Sequence, residues 1–549
     1  MAVNRARIWN VVGLLWLSSL FVVEAHAQPL RGMVWEPPAD LGGAVQAMID
    51  MEQAGVELLR TPVIVDERLL VLADTLGLQV YQDLPLHALS ARQLQRQLES
   101  AQGLLAEVLE RARGHASARH VGLAINVDTS HPDACPVLDA LARQVREAGL
   151  QSYYVTRFGA EDVCLRTTDL VLLDVFGEEG PASVIETVRR VATETTVGVG
   201  ALGTWVQPSA QGLGQPHSAA WQARYLEARL PGFLADEALS MLFVDRWQDP
   251  AEIGAPGRAP AQWRSGLRAD TDVERPAYAV VQGLYRGRQR VFAFDASPVE
   301  SMPFPWQATT VWMLIGVLAF TFTRVTTLQQ MVPRYFGGHA FYREAIRRGR
   351  DLPVLPTVLL YITQALAVGA AASVVTRLLR EHAATAVLLS WWPTRVQVLA
   401  WSFLYDNLLV AASFALLYAL VQLWWVFLLS LLSRRLQPLS VGQVLILVVW
   451  PQWTLWVAAG VLLVWPPPPS PMLGWVGGLL AAGGLLLLVA VGSVRTLHDY
   501  VNLLRPSAGT LVMGTLLYPL TLLFMVLAML ALRHVPELGF LARLVRLTG

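Results

Sequence analysis

The sequence predicts two folds in one chain: an α/β, (β/α)8 TIM barrel followed by an all-α transmembrane bundle of about six helices. Three observations predict this. Short β-rich runs alternate with amphipathic helical stretches from about residue 31 to 297, the pattern of βα units around a parallel sheet. Long apolar runs replace that pattern after Pro303. The 549 residues are also 54% hydrophobic and only 15% charged, too apolar for a wholly soluble protein.

Residues 1–27 carry Arg5 and Arg7 ahead of an apolar run that closes on Ala25-His26-Ala27, the small-x-small pattern of a signal-peptidase site. A cleaved signal peptide is expected, with an uncleaved anchor helix as the alternative. Export puts the next segment, 28–300, outside the cytoplasm. There Cys135 and Cys164, the two cysteines of the chain, either pair or remain separate buried thiols.

Eight strands are expected in that segment: GMVWEP from Gly32, VELLRTP from Val56, LQVYQDLP from Leu78, VGLAINVD from Val121, QSYYVTR from Gln151, DLVLLDVF from Asp169, TVGVGAL from Thr196 and LSMLFVDRW from Leu239. Helical stretches such as PVLDALARQVREAGL lie between them, with apolar residues three to four apart. Eight units in about 270 residues match a (β/α)8 barrel in size and count.

The remainder, 301–549, reads as a multi-pass helical domain with spans near 306–324, 353–376, 407–432, 441–465, 472–494 and 510–532. Each is long enough to cross a hydrocarbon core of ~30 Å. The piece 391–407, with Trp391, Trp392 and Arg395, suits the headgroup level as a re-entrant or interfacial segment. Arg334, Arg343, Arg347, Arg348 and Arg350 fall after the first span, and Arg434, Arg435, Arg495 and Arg505 in later loops of the same side. That bias puts those loops in the cytoplasm and the barrel outside, in a cell membrane. The loop 337–353 is expected as a short amphipathic helix on the inner leaflet. Pro451 and Pro519 are placed to kink their spans.

The lipid bilayer is therefore the first expected partner. The formal net charge is zero and every basic residue is Arg, so nothing global points to nucleic acid. Neither a cofactor nor a metal is expected. The spans hold almost no charge and no repeated half with broken helices, which gives transport little support.

The phrases GVELLRTP and LLVLADTLGLQVYQDLPL, with FVDRWQDP and ERPAYAVVQGLY further on, resemble the barrel of clan A glycoside hydrolases, the family-2 enzymes in particular. The resemblance implies that Arg60 serves a sugar subsite and that Asp83 stands where the family usually has Glu. It also implies retaining hydrolysis by two glutamates about 5–5.5 Å apart, one after an Asn on strand four and one at the end of strand seven. Strand four has its Asn126, but Val127 follows it. In TTVGVGALGTWVQ, 195–207, Ala201 occupies the nucleophile position. Neither side chain can move a proton or attack an anomeric carbon.

A glycan or envelope polymer remains the expected ligand, held without hydrolysis by Arg60, Asp83, Asn126 and Asp174, with Trp205 and Trp247 as stacking platforms. The expectation for Val127 and Ala201 is that both point into the C-terminal mouth. Two alternatives stand beside this reading. One is an active hydrolase with displaced acids, Asp128 being the fallback acid, and Glu36, Asp245 and Asp249 also near strand ends. The other is a docking subunit that holds an envelope protein partner.

Overall fold

The computed structural model describes residues 28–547 apart from 179, 192–194, 208–209, 211, 251–257, 259, 295–305, 350–351, 381, 435–437 and 465–470. The expected signal peptide, 1–27, lies outside the described residues.

The eight strands are present. They are β1 (Leu30–Val34), β2 (Leu58–Pro62), β3 (Gln79–Asp83), β4 (His120–Ile125), β5 (Gln151–Thr156), β6 (Leu170–Asp174), β7 (Thr196–Leu202) and β8 (Met241–Asp245). They pair in sequence order, all parallel, and β1 pairs with β8 to close the barrel. Helices fill most of the intervals, and their starts are set locally. Asp40 and Asp66 cap two of them through their carboxylates, and Ser90 with Gln93 forms a capping box on a third. Cys135 and Cys164 form a disulfide.

Inside the barrel Leu58, Tyr81, Tyr153, Val155, Leu172 and Phe243 pack together. Glycine makes room for the larger side chains, because a Cβ on Gly122 would overlap Asp83 and Tyr153. Three irregularities bear on the mouth. The pairing of β4 with β5 shifts between Gly122 and Ile125, that of β6 with β7 between Leu173 and Asp174, and that of β7 with β8 between Val199 and Leu202. Such shifts re-aim the side chains that follow them.

Among the described residues, four helices in the second half are long and apolar enough to cross a membrane: Val354–Arg380, Asn407–Ser433, Val441–Leu463 and Leu473–Leu504. Thr521–Arg533 and Val535–Arg546 form a bent pair at 84°, which makes a fifth if counted as one span. The run expected at 306–324 is the shorter helix Trp306–Arg324, and 510–532 divides at Pro519 into Ala508–Leu516 and Pro519–Arg533. Length and composition alone thus give four or five where the sequence predicts six. Val354–Arg380 and Asn407–Ser433 approach closely through small residues, and a Cβ on Gly369 would collide with the carbonyl of Ala411.

The two ends of this bundle differ. At one end Gln443 Nε2 donates to the Ile346 carbonyl at 2.5 Å, and His339 Nε2 lies 2.9 Å from Asp499 Oδ1. The loop expected on the inner leaflet forms the helix His339–Arg348 there, with Tyr342 and Ile346 packed into the bundle. At the other end Trp475 Nε1 donates to Thr385 Oγ1, and helices Ala383–Ser390, Thr394–Tyr405 and Val535–Leu547 meet the barrel. Trp391 Nε1 donates to the Ala88 carbonyl and Phe540 packs on Phe158.

Candidate functional site: the roofed mouth of the barrel

A cavity of about 390 Å³ occupies the C-terminal mouth of the barrel, the end at which (β/α)8 proteins hold their sites. Arg60, Asp83, Asn126, Asp174 and Ala201, all predicted from sequence, line it together. Arg60 is the middle residue of β2 and is buried. Its Nε donates to Asp83 Oδ2 at 2.8 Å and its Nη1 to the Gly200 carbonyl at 2.5 Å. Tyr153 donates to the other Asp83 oxygen at 2.8 Å. Gly200 is tight against Leu172 and Val155, where a Cβ would stand 3.0 and 3.1 Å away. The glycine of GALG thus lets a strand backbone reach the arginine.

Asp174 ends β6 and receives Asn126 Nδ2 at 2.7 Å and Arg157 Nη2 at 2.9 Å, with Arg258 Nη2 at 3.6 Å. Burial would raise its pKa. The guanidinium groups of Arg157 and Arg258, the Asn126 amide and the Phe176 N–H outweigh that and hold the carboxyl well below its usual range. Arg258 also pairs with Asp245, which Ser265 Oγ contacts at 3.3 Å. At the rim, Arg246 Nη1 is 3.4 Å from Glu36. Burial pushes the pKa of His87 down to about 4, Asp83 opposing and Arg60 reinforcing the effect, so its imidazole is neutral at pH 7.

Three polar atoms of lining residues have no hydrogen-bond partner among the described residues: Thr61 Oγ1, Asn126 Oδ1 and Arg246 Nε. All three are closed to solvent, so they are buried unsatisfied groups behind the cavity wall and not contacts for a ligand. The same described residues contain no cluster of three or more His, Cys, Asp or Glu arranged for a metal.

Four residues chosen from sequence are elsewhere. Val127 is fully buried in the layer between strands and helices, so the expectation that it faces the mouth is corrected. Asn126 takes φ 53° directly after the β4 irregularity, and this turns Val127 outward to the helices. Asp128 is also off the mouth. It receives Ser130 Oγ and is paired with Arg543 of Val535–Leu547, in a separate cavity on the barrel flank. Trp247 is 1% exposed, under the Arg268 guanidinium and edge-on to Tyr278. Trp205 stacks on His217 with ring centroids 3.9 Å apart. Neither tryptophan lines the mouth.

The aromatic residues along the cavity are instead Trp263 and Trp401, and Trp35, which is buried in the layer between strands and helices. Trp401 belongs to the second half of the chain, as do Ala386, Ser390, Thr394 and Gln397, which complete the wall. Helices Ala383–Ser390 and Thr394–Tyr405 therefore roof the barrel. Sequence reasoning marked 391–407 as interfacial but gave no sign that it closes this site.

These features define an eight-stranded α/β barrel with a polar, arginine-rich mouth. No protein-family model and no curated protein matches the chain. Among solved structures it is similar to a GH2 β-galacturonidase from Eisenbergiella tayi bound to galacturonate, at 15% identity and TM-score 0.43 over 48% of this chain and 52% of that one. It is also similar to an uncultured Clostridium sp. β-glucuronidase (12%, 0.42, 47% and 50%), and to a β-glucuronidase from Ruminococcus gnavus (15%, 0.42, 47% and 49%). The chain spans about half the length of these structures. The likeness is one of fold.

Proposed function

We propose that the chain is a membrane protein whose barrel, outside the cytoplasm, binds a saccharide at its roofed mouth and does not hydrolyse it. The observation that carries the reading is the pairing at the mouth: Asp83, Asp174 and Asp245 are each held by an arginine, so the cavity is polar without a free charge, and Trp263 and Trp401 border it. Hydroxyls and sugar faces call for such a lining. General acid catalysis instead calls for a group that can hold a proton near neutral pH, and Asp174, held well below the usual carboxylate range by Arg157 and Arg258, does not supply it. Ala201 at the position of the family nucleophile agrees.

Six crossings suit the geometry. The chain runs from the barrel to the far end at His339, returns to Ala383, leaves again to Gln443, reappears at Trp475, passes Asp499 and comes back to Val535. Helix Trp306–Arg324, with 19 residues, is about 28 Å long at ~1.5 Å per residue, sufficient for one crossing. The far end carries Arg334, Arg343, Arg347 and Arg348, and the barrel carries the disulfide. Both support a cytoplasmic far end and an oxidising barrel side.

The test uses the full chain in lipid nanodiscs and titrates methyl glycosides by calorimetry, with aryl glycosides as turnover probes. Binding that weakens about tenfold or more in Arg60→Ala, with no aryl release, is expected, tenfold being about 1.4 kcal/mol. Sustained turnover would sink the non-hydrolytic reading, and no heat from any methyl glycoside would sink the saccharide reading.

A further inference from the structure

We propose that the mouth receives its sugar as the neutral headgroup of a membrane lipid, delivered sideways from the bilayer surface. This rests on the saccharide reading above and adds the form in which the ligand arrives.

The roof supplies the first argument. Its 383–405 stretch lies wholly between two helices that traverse the bundle, Val354–Arg380 and Asn407–Ser433. Arg380 Nη1 donates to the Leu404 carbonyl at 3.0 Å, tying the end of the first to the end of the roof. The ceiling of the cavity is therefore at the level where those helices emerge, the depth of lipid headgroups. A soluble ligand would have to approach a mouth turned toward the membrane.

Helix Thr394–Tyr405 has two faces. Thr394, Gln397 and Trp401, at i, i+3 and i+7, line the cavity, as one helical face must. Val396 and Leu399 are on the opposite side and are 39% and 69% exposed, with Trp392 just before the helix 48% exposed. An apolar outer face on an interfacial helix fits the headgroup–acyl boundary. One helix thus separates the polar cavity from acyl chains.

The rim gives the path. Glu36, Pro62 and Thr394 line the cavity and are themselves exposed, so it opens between the loops after β1 and β2 and the start of the roof helix. Trp392 and Pro393 adjoin that opening in sequence. A headgroup can enter there while its acyl chains stay against Trp392, Val396 and Leu399.

Charge selects the headgroup. Arg60, Arg246 and Arg258 face Glu36, Asp83, Asp174 and Asp245 across the cavity, three cations against four anions, and His87 is neutral. Phosphate or carboxylate headgroups would meet no unpaired cation, whereas hydroxyls can donate to the carboxylates and accept from the guanidinium groups that line the cavity. A volume of about 390 Å³ is near the lower limit of ordinary ligand pockets, about 300–1,000 Å³. It suits a headgroup of one or two rings.

The experiment places the full chain in phosphatidylcholine nanodiscs containing monoglucosyl or monogalactosyl diacylglycerol, and counts retained lipids by native mass spectrometry. Parallel discs without glycolipid receive methyl glucoside or methyl galactoside. One glycolipid per chain is expected, retained at least about tenfold over phosphatidylcholine, a difference of about 1.4 kcal/mol. Leu399→Asp, on the exposed face, should reduce glycolipid retention and spare methyl glycoside binding, and Arg60→Ala should weaken both. Methyl glycoside binding with no glycolipid preference overturns this proposal and leaves the saccharide reading intact, as does equal glycolipid retention by Leu399→Asp. No binding in either arm overturns both.

Discussion

The two halves of the molecule bury polarity in opposite ways. The barrel buries charge: Arg60 and Asp83 are 5% and 7% exposed, and Asp174 and Asp245 meet Arg258 beside them. The bundle buries neutral groups instead, with Gln364, Gln422, Gln452, Ser493 and Thr496 in its interior. Among the described residues of 306–533, Asp499 is the buried acid, and it pairs with His339 at the end remote from the barrel. The difference follows from what surrounds each half. A barrel mouth can match acids with guanidinium groups beside a cavity that admits water, whereas a charge among closely packed apolar helices has little to replace its hydration. Cohesion in the bundle comes from small residues and neutral hydrogen bonds.

The largest expected effect is at the charged end. Asp174→Ala leaves Arg157 without its carboxylate and Arg258 with Asp245 alone, and breaking a buried pair from one side costs about 3–5 kcal/mol. Denaturant unfolding of the purified chain, followed through the barrel's signal, should show it, and a loss below about 1 kcal/mol would mean that these pairs are as weak as surface ones.

A smaller effect concerns pH. His87 has a folded pKa of about 4 against about 6.5 when unfolded. The unfolded state therefore binds more protons between those values, so stability is full above about pH 6.5 and falls as the pH drops toward 4. The loss is at most about 3 kcal/mol, less where cavity water screens the ring. His87→Gln should flatten the stability profile over that window, and an unchanged slope would remove His87 from the account.

The smallest effect tests the neutral half. Gly369→Val should separate Val354–Arg380 from Asn407–Ser433 at Ala411, with an overpacking cost of about 1–3 kcal/mol. Thermal unfolding in detergent measures it. A cost equal to that of Asp174→Ala would erase the contrast between the halves.

Much of the architecture was legible because it is periodic. Alternating β runs and amphipathic stretches gave all eight strands, and apolar length gave the four long helices. The site was legible at Arg60 inside β2, at Asp83 ending β3, and at Asp174 ending β6 even though the β6–β7 register shifts there. It failed where the backbone turns out of its strand. Val127 was misassigned because a register shift and the positive φ of Asn126 turn the chain before it, and no residue pattern announces that. Trp247 follows its strand, yet Arg268 and Tyr278 cover it from later in the sequence. The roof was illegible for a different reason: Gln397 and Trp401 meet the barrel only through the path of the bundle.

The pairing of Asp128 with Arg543 also imposes an order in time. The partners are 415 residues apart, so at about 5–20 residues per second a ribosome needs roughly 20–80 s to supply the arginine after the aspartate. Throughout that interval the barrel flank carries a carboxylate without its counter-ion and an uncovered Phe158, which Phe540 later meets. The barrel can close early, but its flank is finished only after the helices between have been laid down.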